Sequence, residues 1–375
     1  MREFDLVIVG AGIAGASLAW QVAGRRTVLL LEAESQPGYH TTGRSAAMFM
    51  ESYGPPWVRA LTRASRAFYE APPAGFGNAP LLAPRGALYL ASPGQEALLD
   101  AMRTELAPSC PRLERLDAAA TLACVPCLRP EQVHAALLDP DARDIDVHAL
   151  HQGYLRGMRA RSGELRTDAR VTAARHDGRR WVLQLGNGDA VQTRTIVNAA
   201  GAWADEFAAL CGAAPVGLVP CRRSAFTFKG PEGVDIARWP AVAGVDEGWY
   251  FKPDAGRLLG SPANADPTVP HDVRPEELDI AIGIDRIETV TTLTIRRPES
   301  TWAGLRSFVH DGELVIGADE RCPGFFWLAA QGGYGIQSAA GASALAAALL
   351  CGEPLSGELV REGIDPAALS PWRLR

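Results

Sequence analysis

Residues 4–32 read FDLVIVGAGIAGASLAWQVAGRRTVLLLE, and this stretch decides the fold of the region that contains it. The apolar run at 4–9 is typical of a parallel strand that is buried on both faces. A glycine turn follows, then a helical stretch through residues 19–22, and then a second apolar run at 27–31. The sequence therefore predicts a strand–helix–strand unit about 30 residues long.

The glycine turn has the spacing G-x-G-x-x-G, which is typical of dinucleotide binding when a strand precedes it and a helix follows. Gly10 allows the tight turn, Gly12 lets the backbone approach a pyrophosphate, and Gly15 lets the helix pack on the strand. The helix N-terminus then offers free N–H groups to the phosphates. Glu32 ends the second strand, where an acid can bind an adenosine ribose hydroxyl; Glu34 is the alternative, interpreted as a solvated charge.

Composition bounds the class of protein. The 375 residues suffice for about two domains, and the net charge of -6 contains no block of five like charges. The sequence predicts neither a nucleic-acid-binding surface nor a membrane span. We expect no secretory signal, because the first strand begins near Phe4. Seven scattered cysteines favour reduced thiols and a cytoplasmic location over a disulfide framework.

Two further segments complete the predicted nucleotide-binding domain. Residues 181–199 read as a hairpin around the turn at 186–189, and FFWLAAQ at 325–331 precedes a glycine turn and an alanine-rich helix from about Gly335 to Leu350. The segments between them differ in composition. Residues 51–140 are rich in proline and short helices, and residues 219–300 alternate strands with Pro/Gly loops. The predicted domains are a discontinuous FAD-binding domain at 1–50, 145–218 and 300–375, and a substrate domain at 51–144 and 219–299.

Several long phrases resemble the D-amino-acid oxidase family of flavoproteins, which includes glycine oxidase and sarcosine oxidase. The phrases are HTTGRSAAM (40–48), ALHQGYLRG (149–157), NAAGAW (198–203), RRSAF (222–226), YFKPDAG (250–256), TWAGLRSF (301–308) and AAQGGYGIQ (329–337). Within the family the chain is most similar to bacterial FAD-dependent D-arginine dehydrogenase. The resemblance implies a mixed α/β fold, with a Rossmann-like FAD-binding domain and a substrate domain built on a β-sheet.

The resemblance also implies the residues that contact FAD, by position. Residues 43–46 would lie along the flavin, Val171 would contact the adenine, and 332–337 would surround the pyrimidine edge of the flavin. The full cofactor-binding set is Gly10, Gly12, Ala14, Gly15, Glu32, Ala33, Thr42, Gly43, Arg44, Ser45, Ala46, Ala47, Val171, Ala200, Gly201, Trp203, Arg306, Gly332, Gly333, Tyr334, Gly335, Ile336 and Gln337. No cysteine lies within TWAGLRSF, where the family attaches covalent flavin, so we expect non-covalent FAD.

The family binds an amino-acid carboxylate with two arginines and two tyrosines. The matching positions are Tyr53, Arg223, Tyr250 and Arg306, and the carbonyl of Gly333 would accept a hydrogen bond from the substrate amine. A guanidinium fork and phenols suit a carboxylate. Strand alternation favours Arg223 over the adjacent Arg222, which it sends to the opposite face.

Departures from the family pattern concern the substrate side chain. D-Arginine dehydrogenase has an acid where this chain has Ala87 and a histidine where it has Met48, and Ala241 and Ala243 replace larger residues. These positions predict a wide, uncharged pocket. Glu51 and Glu247 remain as acids that could replace the missing one.

Leu258 stands where sarcosine oxidases have an oxygen-activating lysine, which favours a dehydrogenase passing electrons to a quinone or another carrier. Two other pairs are interpreted as structural. The C-x-x-C pair Cys124 and Cys127 has no second pair to complete a metal site, and His148 and His151 share a predicted helix. We expect no bound metal.

The predicted function is FAD-dependent oxidative deamination of a D-amino acid with a neutral or apolar side chain, to the 2-oxo acid and ammonia. One alternative on the same fold is oxidation of a secondary amine of the sarcosine, glycine or proline type. An alternative of another class is a non-catalytic flavin-binding protein that carries or senses a small ligand.

Overall fold

Two large β-sheets with helices packed on them form the protein, and the computed structural model describes residues 2–77 and 79–375. The strands are β1 (Arg2–Val9), β2 (Val28–Leu31), β3 (Met48–Phe49), β4 (Leu82–Pro84), β5 (Ala87–Ala91), β6 (Glu114–Asp117), β7 (Ala135–Asp139), β8 (Arg143–Ile145), β9 (Glu164–Arg166), β10 (Val171–His176), β11 (Trp181–Leu185), β12 (Ala190–Asn198), β13 (Val219–Phe228), β14 (Ala241–Gly244), β15 (Tyr250–Asp254), β16 (Arg257–Ser261), β17 (Asp266–Pro267), β18 (Ser300–Phe308), β19 (Val315–Ala318) and β20 (Phe325–Ala329).

The helices alternate with these strands. They are α1 (Ile13–Val22), α2 (Pro56–Glu70), α3 (Glu96–Leu106), α4 (Ala118–Cys124), α5 (Val147–Ala160), α6 (Ala204–Leu210), α7 (Glu277–Val290), α8 (Ala339–Cys351), α9 (Gly357–Arg361) and α10 (Pro366–Leu369). In the part of the chain that the structure describes, none of them is both long and apolar enough to cross a membrane.

The first sheet has a parallel core in the order β20–β12–β1–β2–β9. The predicted strand–helix–strand unit is confirmed as β1, α1 and β2, and the predicted hairpin as β11 and β12. In the parallel register Val9 lies beside both Leu31 and Asn198. The carboxyl ends of three strands therefore meet at one edge, which is where α/β sheets place their ligands.

Helices α1, α2, α5 and α8 cover one face of this sheet. Trp20 lies at their centre, with edge contacts to Phe68, Phe76 and Tyr154 at ring-centroid distances of 5.4, 5.6 and 5.9 Å. Helix α8 is buried over most of its surface, which explains its run of alanines. It begins at Ala339 and not at about Gly335 as predicted, because residues 332–338 form consecutive turns.

The second sheet has nine strands, in the order β17–β13–β16–β15–β14–β5–β7–β6 with β18 on the other side of β13. Helix α7 covers one face, and Phe226, Leu258 and Ile287 belong to the core between them. The predicted boundary at residue 300 puts β18 in the FAD-binding domain. Its hydrogen bonds instead join it to β13 along 300–308, so it belongs to the second sheet.

None of the four residues in the two pairs that we interpret as structural lines an open cavity. Cys127 is buried, and burial raises the pKa of its thiol to about 12. His151 is also buried, and its Nε2 lies 2.9 Å from the carbonyl oxygen of Ala11, next to the glycine turn. Among the described residues no group of His, Cys, Asp and Glu side chains is arranged to hold a metal ion.

Candidate active site

Three adjoining cavities run from the edge of the first sheet to the face of the second. We call them the edge cavity, the middle cavity and the face cavity, and their volumes are about 320, 130 and 280 Å³. The edge and middle cavities share part of their lining, including Gly12, Thr42 and Gly201. The middle and face cavities share Ser45, Ala46, Arg223, Tyr250, Arg306, Gly333 and Ile336. A long ligand can therefore extend through the first two and reach the third.

The glycine turn shapes the edge cavity. Gly10 has φ +102°, and a Cβ there would lie 2.3 Å from the carbonyl oxygen of Ala199. A Cβ on Gly15 would lie 1.9 Å from the carbonyl oxygen of Gly10, so a side chain is excluded where α1 packs on the turn. Helix α1 begins after Gly12, which has no side chain to cap it. Thr42 Oγ1 accepts from the N–H of Ile13 at 3.0 Å, and the turn brings this helix N-terminus to the cavity wall, as a phosphate-binding loop does.

Glu32 is buried at the end of β2 and is fixed by the backbone. One carboxylate oxygen accepts from the N–H of Ala11 at 2.9 Å and the other from the N–H of Glu34 at 3.0 Å. Glu34 lies 3.1 Å from His40 Nε2, and the His40 ring packs on Trp203. The edge cavity is lined by both acids and by His40 and Trp203. Position in the cavity therefore does not decide which of Glu32 and Glu34 would bind the ribose.

Most of the sequence-predicted cofactor positions line these cavities. In the edge cavity they are Gly10, Gly12, Glu32, Ala33, Thr42, Val171, Ala200, Gly201 and Trp203. The middle cavity adds Ala14, Arg44, Ser45, Ala46, Arg306, Gly332, Gly333, Gly335 and Ile336, and the face cavity adds Ala47 and Gln337. Gly15, Gly43 and Tyr334 stand outside all three linings and act through packing: Gly43 N–H donates to the carbonyl of Gly38, and Tyr334 packs on Tyr53.

Arg44 borders the middle cavity but its guanidinium is held by the second sheet. It donates to the carbonyl oxygens of Val273 and Ala303 at 3.0 and 3.2 Å and pairs with Asp272. Its own carbonyl accepts from the Trp302 indole at 3.0 Å. Arg44 therefore links the turn at 41–44 to β18 and to the segment at 272–273.

Two arginines and two tyrosines meet where the middle and face cavities join. Arg306 on β18 donates to the Tyr53 hydroxyl at 3.1 Å, and Arg223 on β13 donates to the carbonyl of Asn264. Burial lowers the pKa of Arg223, and the charge of Arg306 lowers it further. Burial alone would lower the pKa of Arg306, but Tyr53 and Tyr250 outweigh it and the net shift is upward. Two neighbouring cations that repel each other form a receptor for an anion.

Gly333 lies against Arg306 where the middle and face cavities join. A Cβ at this position would lie 2.7 Å from Arg306 Nη1, so only glycine leaves the guanidinium in place. Gln337 fixes the loop that carries Tyr53, because its amide donates to the Tyr53 carbonyl and to Thr62, both at 3.1 Å. Tyr53, Arg223 and Arg306 are thus held by backbone and side-chain contacts of the protein itself.

Arg222 and Arg223 point to opposite faces of β13, as alternation predicts. Arg222 pairs with Asp279 at 2.8 Å and also with Glu276 and Asp266 beside α7, whereas Arg223 lines the middle and face cavities.

The remainder of the face cavity is mostly small or apolar. Met48, Ala87, Ala241 and Ala243 all line it, as predicted from the sequence. The two candidate acids separate: Glu51 is paired with Arg66 at 2.6 Å, outside the lining, whereas Glu247 lines the cavity. Glu247 is exposed and has φ +54° in the turn between β14 and β15.

Sequence reasoning missed Lys252 and misplaced Leu258. Lys252 on β15 is 5% exposed, lines the face cavity and pairs with Asp144 at 2.7 Å. Leu258 lies in the core under α7, on the face of β16 that points away from the cavities. Leu258, predicted to stand in the place of an oxygen-activating lysine, therefore does not reach the cavities, because alternation along β16 directs its side chain to the opposite face of the sheet.

A dinucleotide-binding turn at a sheet edge, with cavities that continue from it to a second sheet, is typical of a nucleotide-dependent oxidoreductase. The chain belongs to the DAO family of FAD-dependent oxidoreductases, whose model matches residues 5–349. It is similar in structure to glycine oxidase from Geobacillus kaustophilus (22% identity, TM-score 0.85, 99% of this chain and 98% of that one). It is also similar to L-proline dehydrogenase from P. horikoshii (18%, 0.82, 99% and 98%). A third similar structure is iminodiacetate oxidase from Chelativorans sp. BNC1 (23%, 0.80, 95% and 98%).

The residues present fit the FAD that this family uses. The N-terminus of α1 and the Gly12 backbone would hold the pyrophosphate, and Glu32 would hold the adenosine ribose. The middle cavity, between the turns at 332–338 and β18, would hold the flavin ring. The chain is thus an FAD-dependent oxidoreductase.

Proposed function

We propose that this enzyme oxidises a D-amino acid with a neutral or apolar side chain to the 2-oxo acid and ammonia. The observation that carries the proposal is the convergence of Arg223, Arg306, Tyr53 and Tyr250 at the junction of the middle and face cavities. A planar guanidinium binds a carboxylate through two hydrogen bonds, and the phenols add further donors. The D configuration rests on the resemblance to D-arginine dehydrogenase in phrases such as GYHTTGRSAA and AAQGGYGIQ.

The protein contributes positioning. Arg306 and Arg223 would hold the carboxylate, and the Gly333 carbonyl would accept a hydrogen bond from the amine, so that two points of the substrate are fixed. FAD, when bound, supplies the acceptor for the hydride from the α-carbon. Fixing the reactant in this way removes much of the entropic cost of the encounter. The imino acid then hydrolyses with water.

The side chain would occupy the face cavity beside Met48, Ala87, Ala241 and Ala243. Burial of an apolar group there stabilises the complex by about 25 cal/mol per Å². A guanidinium in the same space would shed its water, and the acid that remains, Glu247, is exposed at the rim. The lining therefore supports a neutral substrate over arginine.

We also propose a dehydrogenase that holds FAD without a covalent bond. The cations that line the middle cavity, among the residues described, are Arg44, Arg223 and Arg306, and no cysteine lines any of the three cavities. Electrons would leave to a quinone or a similar carrier. Comparing the rate of reoxidation by oxygen with that by a soluble quinone tests this, and equal rates would contradict it.

A secondary amine is the second candidate substrate. The structures titled glycine oxidase, L-proline dehydrogenase and iminodiacetate oxidase share this fold, and the face cavity, of about 280 Å³, has room for an N-substituent.

The test is anaerobic reduction of the bound flavin by a panel of D-amino acids, L-amino acids, sarcosine and proline. We expect bleaching by neutral D-amino acids. Bleaching by N-methyl or cyclic amines alone would favour the second candidate, and no bleaching by any amine would favour a ligand-binding protein.

A further inference from the structure

We infer that Lys252 is a specificity-determining residue, and that it selects a substrate side chain carrying a neutral hydrogen-bond acceptor, as the carboxamide of D-glutamine does. The inference rests on the proposed function, because it places the amino-acid carboxylate at Arg223 and Arg306.

The position of Lys252 on the second sheet supports this role. Tyr250 and Lys252 are two residues apart on β15 and face the same side, about 7 Å apart at the rise of an antiparallel strand. Tyr250 lies at the carboxylate end of the face cavity, and Lys252 lines only the face cavity. A group that Lys252 binds is therefore the far end of a substrate whose carboxylate lies near Tyr250. That separation suits a carbonyl three or four bonds beyond the α-carbon.

The neighbours of Lys252 leave room for such a group. The register of β14 with β15 puts Ala241 opposite Lys252, and the register of β14 with β5 puts Ala87 beside Ala241. Two methyl groups thus extend the cavity floor from the lysine across two strands. The space above these two methyl groups is therefore available to the side chain of a substrate.

Lys252 also has donors to spare. An ammonium has three N–H bonds, and one of them is directed to Asp144 Oδ1 at 2.7 Å. No other acceptor for Lys252 is found among residues 2–77 and 79–375. Arg85 holds the second oxygen of Asp144 at 2.6 Å, so the carboxylate is already shared. A buried ammonium that lines a cavity with unused donors is a site for an acceptor oxygen.

The neighbouring charges decide between a neutral and an ionised side chain. Asp144, whose carboxylate binds both Lys252 and Arg85, lies beside the position that an acceptor on Lys252 would take. A side-chain carboxylate at this position would be repelled by Asp144, and a cationic side chain would be repelled by Lys252. A carboxamide accepts a hydrogen bond from the ammonium and meets neither repulsion.

The experiment uses the FAD-loaded enzyme and its K252M variant, since methionine keeps the length of lysine without its charge. The substrates are D-glutamine and D-norleucine, which have unbranched side chains of similar length. We expect K252M to lower the ratio of kcat/KM for D-glutamine over D-norleucine at least tenfold. The control is R85Q, which removes the other cation on Asp144 outside the lining and should leave this ratio within twofold.

A binding readout separates this inference from the proposed function. 4-Carbamoylbutanoate and hexanoate are the same two molecules without the amine, and they are titrated by the change they cause in flavin absorbance. Selective loss of 4-carbamoylbutanoate affinity in K252M supports the role of Lys252 even if no amino acid reduces the flavin, in which case the proposed function alone fails. Equal losses for both ligands, an unchanged ratio, or the same change in R85Q would show that Lys252 only holds Asp144.

Discussion

Replacement of Arg306 by alanine is the most direct perturbation of the carboxylate receptor. Its guanidinium donates to Tyr53 at 3.1 Å and lies against Gly333. Deletion of one charged partner of a desolvated carboxylate costs about 2–5 kcal/mol. Arg223 remains in the R306A variant, so we expect the lower part of this range, about 2–3 kcal/mol, which is a loss of roughly 30- to 140-fold in substrate affinity.

The assay is anaerobic flavin reduction under single-turnover conditions, which separates the apparent Kd of the substrate from the rate of hydride transfer. FAD content is measured after gel filtration. We expect the FAD content to be retained, because the edge cavity is lined by the glycine turn, the end of β2 and the segment at 199–203 and does not include Arg306.

Arg222 supplies the matched control, since it is the neighbouring residue on the same strand. Its partners are Asp279, Glu276 and Asp266, outside the cavities. We expect R222A to lower the melting temperature and to leave the apparent Kd within about twofold. An unchanged Kd in R306A, or an equal loss in R222A, would mean that the carboxylate binds elsewhere.

Three further predictions follow from the same contacts. Acid precipitation of the yellow protein should release free FAD into the supernatant, and flavin that remains with the pellet would contradict non-covalent binding. We expect kcat/KM for D-leucine to exceed that for D-arginine at least tenfold; the reverse order would assign the substrate side chain to Glu247, and E247Q would then test it. Burial raises the pKa of Asp139, so its contribution to folding stability is lost as pH rises above the usual carboxyl range. The melting temperature of D139N minus that of the parent should increase between pH 4 and pH 8, and a constant difference would contradict the raised pKa.

Much of the first sheet could be predicted from sequence because its signals are local. An apolar run, three glycines and a terminal acid lie within 4–32, and the structure shows a geometric reason for each of these residue types at its position. Gly10 and Gly15 are required by contacts of 2.3 and 1.9 Å that no side chain permits. The start of α8 could not be placed, because the turns at 332–338 and a helix entry have the same glycine-rich sequence.

The contacts around the second sheet were harder to predict from the sequence, because they join residues that are far apart in the chain. Arg85 and Lys252 share Asp144 although they lie 59 and 108 residues from it in sequence. Lys252 is a single lysine in YFKPDAG, and its sequence neighbours give no sign that it is buried beside Ala87 and Ala241. The separation of Glu51 from Glu247 depends likewise on a tertiary contact, the pair with Arg66.

Strand register connects the position of Leu258 to the proposed role of Lys252. In the antiparallel pairing of β15 with β16, Lys252 lies opposite Leu259 and Phe251 opposite Gly260. Residues that pair directly point to the same face, so Lys252 and Leu259 face the cavity side, and Phe251 and Leu258 face the core under α7. A lysine at position 258 would be buried among Phe226, Phe228 and Ile287 without an acceptor, whereas at 252 it meets Asp144. A shift of one residue exchanges the two faces, and for this reason the register of β15 determines which charge a substrate side chain meets.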